Sequence, residues 1–190
     1  KLKEIGYSNI YLQGHSLGST KIVYTYNKLK EEKNIYLKDI KGIILLSLVD
    51  VPMVLKIYLR DNLKTYVSLA EEKQKEGKDE ELMPRSAFIH PVSVKTFLRY
   101  AKYSEEINFA QYGKDNKLEK LNNIDVPLFM RWGNDNEMIL QKADELVKMI
   151  DKIIKNPNKD INYIDGANHG YSGKEETLAK QIIEFLHKSF

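Results

Sequence analysis

The chain has 190 residues, enough for one domain with a substantial core, and its 42% hydrophobic and 30% charged residues are typical of a folded globular protein rather than a disordered one. A formal net charge of only +3, with lysines interleaved among acidic residues, argues against a nucleic-acid partner. The absence of cysteine excludes disulfides and thiolate chemistry, no apolar run is long enough to span a membrane, and a cytoplasmic location is expected.

The first predicted elements are a buried strand, a glycine-rich turn and a helix. Ile10–Leu12 are apolar on successive positions, as in a strand covered on both faces. The Gly14–Gly18 segment (Gly-His-Ser-Leu-Gly) follows, and helical spacing of apolar residues continues to about Glu32. This order is typical of a nucleophile elbow, and both glycines are expected to be required because a Cβ would collide with a neighbouring element. Ser16 is therefore the candidate nucleophile.

A long helical insertion is predicted after the second strand. Ile40–Val49 is nearly all aliphatic and predicts a second buried strand, with Asp50 at its carboxyl end. Residues 52–109 then show amphipathic stretches and no obvious strand, so they predict a helical cap inserted into a core of residues 1–51 and 110–190. The predicted cap helices are Val54–Leu63, Tyr66–Glu76 and Val92–Tyr103.

Two further strands and two helices complete the predicted core. The strands are Pro127–Trp132 and Ile161–Ile164, and Ile139–Ile154 between them has clear helical periodicity. Ser172 and Glu175 have the spacing of a capping box that opens the last helix. Strands alternating with helices predict an α/β fold, with a mostly parallel sheet of about four strands flanked by helices.

Candidate catalytic residues follow the carboxyl ends of these strands, which meet at one edge of a parallel sheet. Ser16 needs a base, and His169 is preferred because it occupies a glycine- and asparagine-rich loop after the last strand. The acid that would orient this base is predicted to be Asp135, with Glu137 as the next alternative and Asp50 as the third.

The backbone N–H of Leu17 is the expected oxyanion donor, since it follows Ser16 at the start of a helix. No residue before Ser16 can provide the second donor that such sites normally have. The four histidines have no metal-ligand spacing, so neither a metal nor another cofactor is expected.

The chain resembles the α/β-hydrolase superfamily of serine esterases and lipases, from the nucleophile elbow onward. The matching segments are Gly14–Gly18, Pro127–Asp135 and Asn168–Gly170. More loosely, the chain is similar to small esterases of the group that includes fungal siderophore esterases. The resemblance implies the fifth to eighth strands of an eight-stranded sheet, and hence a fragment of a longer parent. In the superfamily the acid often ends a Gly-x-x-Asp motif, and that position holds Asn136 here.

These observations predict a serine hydrolase that cleaves a small-molecule carboxylic ester through an acyl-enzyme. One alternative is an acyltransferase or thioesterase that uses the same residues. The other is an inactive hydrolase-fold fragment that acts as a binding or assembly module. Because Ile10–Leu12 would leave an apolar sheet edge exposed, the chain is also expected to form homo-oligomers through that edge.

Overall fold

The computed structural model describes residues 2–102, 110, 112, 118–135 and 137–188. Its strands are β1 (Ile10–His15), β2 (Ile40–Leu46), β3 (Leu128–Gly133) and β4 (Lys159–Ile164). Its α-helices are α1 (Leu17–Glu31), α2 (Val51–Leu59), α3 (Asn62–Lys75), α4 (Val94–Ala101), α5 (Glu119–Asn122), α6 (Ala143–Ile153) and α7 (Glu175–Lys188). Short 3-10 helices cover Lys3–Ile5, Leu37–Asp39 and Arg85–Ala87.

The four strands form one parallel sheet in the order β1-β2-β3-β4. The two central strands are almost entirely buried, which explains their near-continuous aliphatic sequences. Within the described residues β1 lies at one edge of the sheet and β4 at the other. This arrangement confirms the predicted α/β fold with a parallel sheet of four strands.

Successive residues of the central strands belong to two hydrophobic clusters. Ile43 and Leu45 of β2 join a cluster that also contains residues of α1 and α6. Ile44 and Leu46 join a second cluster, which contains Phe185 of α7. Since successive side chains of a strand point to opposite faces, helices cover both faces of the sheet. This covering leaves the strand ends as the place for polar functional side chains.

Several element boundaries differ from the prediction, among them the end of the second strand and the starts of α6 and α7. The second strand ends at Leu46 rather than Val49, because Ser47 adopts a φ of 45° that no strand continues. Helix α6 begins at Ala143, four residues later than predicted, and the preceding Leu140 is 60% exposed. Helix α7 begins at Glu175, two residues later than a capping box at Ser172 requires.

The chain divides into two compact units, Lys1–Val49 with Phe109–Phe190 and Asp50–Asn108. In its described residues, 50–102, the second unit contains α2, α3, α4 and one 3-10 helix, with an antiparallel bridge between Leu82 and Ser93. The predicted cap of residues 52–109 includes residues 103–109, which lie outside the described part of the chain. The function of this unit as a cap stays a prediction.

Candidate active site

Ser16 lies on a strained turn between β1 and α1. Its φ of 54° and ψ of −124° are unusual for a residue with a side chain, and its N–H donates to the carbonyl oxygen of Leu46, 2.9 Å away. A Cβ on Gly14 would lie 2.5 Å from the carbonyl carbon of Gly18, so position 14 requires glycine. A Cβ on Gly18 would have nothing within 4 Å, so the expectation that both glycines are sterically required is wrong for Gly18.

The loop after β4 carries His169 and is attached to the end of β3. The side-chain oxygen of Asn168 accepts the N–H groups of Gly170 and Ser172, each at 3.0 Å. A Cβ on Gly133 would lie 2.7 Å from the carbonyl carbon of Ala167, so the loop comes this close only because position 133 is glycine. The loop therefore holds His169 at the carboxyl edge of the sheet.

The two ring nitrogens of His169 contact two different side chains. Nε2 lies 2.9 Å from the hydroxyl oxygen of Ser16. Nδ1 is hydrogen-bonded to Oε1 of Glu137. The structure thus brings together Ser16 and His169, the two preferred candidates from the sequence, and adds the alternative acid Glu137.

The Glu137 carboxylate is buried, with 2% of its side chain exposed, and it accepts four hydrogen bonds. Besides His169 Nδ1–H, the donors are the N–H of Gly133 at 2.9 Å, the N–H of Met138 at 3.0 Å and the Ser47 hydroxyl at 2.8 Å. Burial by itself raises the pKa of Glu137, but the hydrogen bonds from His169, Gly133 and Ser47 outweigh it, so the pKa lies below its ordinary value. An ionised carboxylate only accepts, which keeps the proton of neutral His169 on Nδ1 and leaves Nε2 as an acceptor.

The other two acids of the sequence analysis have different positions. Asp135, the preferred acid, is exposed, and its backbone N–H donates to the carbonyl oxygen of Ala167. Asp50 caps helix α2, where its carboxylate accepts the N–H of Met53 at 3.3 Å. Of the three acids, it is the carboxylate of Glu137, the second choice from the sequence, that contacts the imidazole of His169. Asn136, the residue at the acid position of the superfamily motif, lies outside the described residues.

Leu17 is the first residue of α1, directly after Ser16. The first N–H groups of a helix have no acceptor within the helix and carry the positive end of its dipole. The first turn of α1 contains no acidic residue that would oppose an anion there. The N–H of Leu17 is therefore suited to a developing negative charge beside Ser16.

Ser47, Tyr171 and His15 also lie at this candidate site, although no sequence motif indicates a functional role for them. Ser47 and Tyr171 are buried and have positive φ angles of 45° and 59°. Nε2–H of His15 donates to the carbonyl oxygen of His169 at 2.7 Å. A serine that ends a strand and a tyrosine two residues after a histidine have no sequence pattern that distinguishes them from core residues.

Two negative findings concern the described residues alone. No group of three or more histidine, aspartate or glutamate side chains there is arranged to hold a metal ion. Across the same part of the chain, every helix is too short or too polar to cross a membrane.

Comparison with solved structures identifies the fold. A monoacylglycerol lipase from Paleococcus ferrophilus is 17% identical, with 100% of this chain and 72% of that chain covered and a TM-score of 0.56. A soluble variant of monoglyceride lipase from Saccharomyces cerevisiae is 14% identical, with coverages of 99% and 64% and a TM-score of 0.62. MGS-M2, an α/β hydrolase from a Medee basin deep-sea metagenome library, is 15% identical, with coverages of 98% and 68% and a TM-score of 0.52. These similarities confirm the resemblance to the α/β-hydrolase fold.

The chain spans only 64% to 72% of the length of these three proteins. No curated protein matches it significantly. One family model covers residues 2–189, which is almost the entire sequence. The chain therefore belongs to the family described as "Protein of unknown function (DUF1749)", and it has a partial α/β-hydrolase fold.

Proposed function

We propose that the chain is a serine hydrolase that cleaves a carboxylic ester, with Ser16 as nucleophile, His169 as base and Glu137 as the acid. The observation that carries the proposal is the pair of hydrogen bonds made by His169, through Nε2 with Ser16 and through Nδ1 with Glu137. A serine hydroxyl is a weak nucleophile unless a base of fixed tautomer removes its proton. The buried carboxylate of Glu137 would impose that tautomer.

The mechanism follows from the positions of the protons. Oγ of Ser16 attacks the ester carbonyl as its proton passes to Nε2 of His169, and the imidazolium is stabilised by the Glu137 carboxylate. The N–H of Leu17 hydrogen-bonds the tetrahedral oxyanion. Nε2–H then protonates the departing alkoxide, which leaves an acyl group on Ser16. Water activated by the same nitrogen hydrolyses this acyl-enzyme and regenerates the free serine.

The choice of a carboxylic ester is supported by the structural similarity to a monoacylglycerol lipase and a monoglyceride lipase. Membership of the siderophore-esterase group and a cytoplasmic location stay predictions. The alternative hypotheses, an acyltransferase or thioesterase and an inactive binding or assembly module, also remain predictions.

The test is hydrolysis of p-nitrophenyl acetate and butyrate by the purified chain and by Ser16→Ala. We expect turnover by the wild-type chain and a loss of about 10³-fold or more in Ser16→Ala, because no other group replaces the nucleophile. Ser8→Ala, which changes an exposed serine outside the site, is the matched control and should retain full activity. If Ser16→Ala is as active as the wild type, the proposal is wrong.

Two further assays separate the alternatives. The first assay offers an acyl-CoA thioester with and without an alcohol acceptor. A kcat/KM for the thioester higher than that for either p-nitrophenyl ester would indicate a thioesterase in the absence of the acceptor and an acyltransferase in its presence. A wild-type chain that is folded but inert towards esters and thioesters would favour the binding module.

We also propose that the chain self-associates through β1, the edge strand of the sheet as described. Ile10, Tyr11 and Leu12 are only half-buried there, and unpaired strand edges associate with other strands. Light scattering should show dimers or larger species, and a stable monomer at micromolar concentration would contradict this proposal.

A further inference from the structure

Ser47 lies behind the candidate active site, immediately after β2, and its side chain is completely buried. Its N–H donates to the carbonyl oxygen of Arg131 at 2.7 Å, which attaches it to β3. Its hydroxyl oxygen lies 2.8 Å from Oε2 of Glu137, 3.0 Å from the Tyr171 hydroxyl and 3.3 Å from the carbonyl oxygen of His169. One buried hydroxyl therefore contacts the acid, the backbone of the base, and a tyrosine of the loop that carries the base.

The hydroxyl of Ser47 has a single proton, and its acceptors are unequal. A carboxylate oxygen forms a stronger hydrogen bond than a neutral oxygen, and Oε2 of Glu137 is also the nearest of the three. The Ser47 hydroxyl therefore donates its hydrogen bond to Oε2 of Glu137. The Tyr171 hydroxyl in turn lies 2.8 Å from the carbonyl oxygen of Arg131, to which it donates. Burial raises the pKa of Tyr171, so this hydroxyl keeps its proton.

The four donors to Glu137 are divided between its two oxygens. Oε2 accepts from Ser47 and Gly133, while Oε1 accepts from His169 and Met138. A carboxylate with both oxygens occupied in this way cannot rotate without breaking several buried hydrogen bonds. The two donors at Oε2 thereby help to determine where Oε1 lies, and Oε1 is the atom that contacts His169.

The backbone at Ser47 indicates that its position matters. A positive φ in a residue other than glycine is strained and persists only where surrounding contacts stabilise it. Glycine would relieve that strain, yet it would also remove the hydroxyl. The strained serine therefore places a donor that glycine could not supply.

Resting on the proposed function, we propose that Ser47 is a positioning residue of the active site. Its hydroxyl anchors the Glu137 carboxylate so that Oε1 faces Nδ1 of His169, and it acts on Ser16 only through these two residues.

The test combines kinetics with the NMR signal of the proton on Nδ1 of His169. In Ser47→Ala we expect kcat for p-nitrophenyl butyrate to fall about tenfold and KM to change less than about twofold, because substrate does not contact Ser47. The Nδ1 proton, assigned by its loss in His169→Asn, should move upfield and exchange faster with water. A purely structural effect on stability would not move this resonance.

Two variants serve as controls. Thr20→Val removes another buried hydroxyl, which has no hydrogen-bond partner within the described part of the chain, and it should leave kcat and the resonance unchanged. Ser47→Gly removes the same hydroxyl and suits the φ of 45°, so it replaces Ser47→Ala if that variant does not fold.

The outcomes separate this inference from the proposed function. If the wild-type chain is active and the Ser47 variants keep both kcat and the resonance, Ser47 has no positioning role. A lower kcat with an unchanged resonance also overturns the inference. If the wild-type chain is inactive and the resonance still moves in the Ser47 variants, the proposed function fails while Ser47 retains its role in orienting Glu137 and His169.

Discussion

Two carboxylates at opposite ends of the strands are each hydrogen-bonded to a neighbouring hydroxyl, but they differ in exposure and in their other partners. Glu137, at the carboxyl edge, has 2% of its side chain exposed. Asp125, just before β3 at the amino edge, has 63% of its side chain exposed and pairs with Lys30 at 2.7 Å and with the Tyr26 hydroxyl.

The two carboxylates differ in the groups to which they are hydrogen-bonded. Asp125 joins α1 to the segment before β3, and its partners are a surface lysine and a tyrosine of the core. Glu137 is surrounded by fixed donors, and one of them is an imidazole whose other nitrogen faces Ser16. In the proposed mechanism, the buried and hydrogen-bonded Glu137 carboxylate would stabilise an imidazolium, whereas an exposed ion pair contributes modestly to stability.

The largest effect is expected on kcat/KM, when a substitution of Glu137 is compared with the corresponding substitution of Asp135. Glu137→Gln retains the shape but can stabilise the wrong tautomer of His169, so we expect kcat/KM for p-nitrophenyl butyrate to fall by about 10²- to 10⁴-fold. Asp135→Asn should leave it within about twofold, because its exposed side chain does not orient His169. Equal losses in the two variants, or a loss in Asp135→Asn alone, would return the acid role to Asp135.

The second prediction concerns the amino edge. Tyr26→Phe removes the hydroxyl that donates to Asp125 and should lower the free energy of unfolding by about 1 kcal/mol, measured by urea denaturation. Esterase activity should not change, because the pair lies at the other edge of the sheet from Ser16. Tyr36→Phe, at a residue that is 57% exposed, is the matched control and should have no measurable effect. Lost activity in folded Tyr26→Phe would contradict the separation of the two edges.

The smallest expected effect is on the pH dependence of stability. The pKa of Glu137 is lowered from its ordinary value of 4.5, so the folded state holds the ionised form more favourably than the unfolded state does. This stabilisation is complete above the ordinary value and disappears as the pH falls through the lower, folded-state pKa. Thermal unfolding should therefore show a Tm difference between wild type and Glu137→Gln that narrows below about pH 4.5. A difference that stays constant from pH 7 to pH 3 would show that Glu137 is not held ionised.

The fold and two of the three side chains that meet at the candidate site could be predicted because their signals are local. Gly14–Gly18 is contiguous, and His169 follows the last strand in a loop rich in turn-forming residues. The parallel sheet followed from aliphatic runs alternating with helical periodicity. In each case neighbouring residues carry the information.

The carboxylate that contacts His169 could not be identified from the sequence, because its position depends on contacts between distant segments. Ser47 is 90 residues from Glu137 and donates to Oε2. The N–H of Gly133 donates to the same oxygen. Gly133 also lies close to Ala167, a contact that residue spacing does not predict. Asp135 follows the end of β3 by only two residues, but its backbone N–H donates to Ala167 in the loop of His169 and its side chain is exposed.

The most direct test of the account is to locate the adduct formed when a fluorophosphonate probe reacts with the chain, by intact mass and peptide mapping. We predict a single adduct on Ser16 in the wild type, no adduct in Ser16→Ala and much slower labelling in Glu137→Gln. A folded wild-type chain that acquires no adduct, or an adduct on another serine that persists in Ser16→Ala, would contradict the assignment of Ser16, His169 and Glu137 as the catalytic residues.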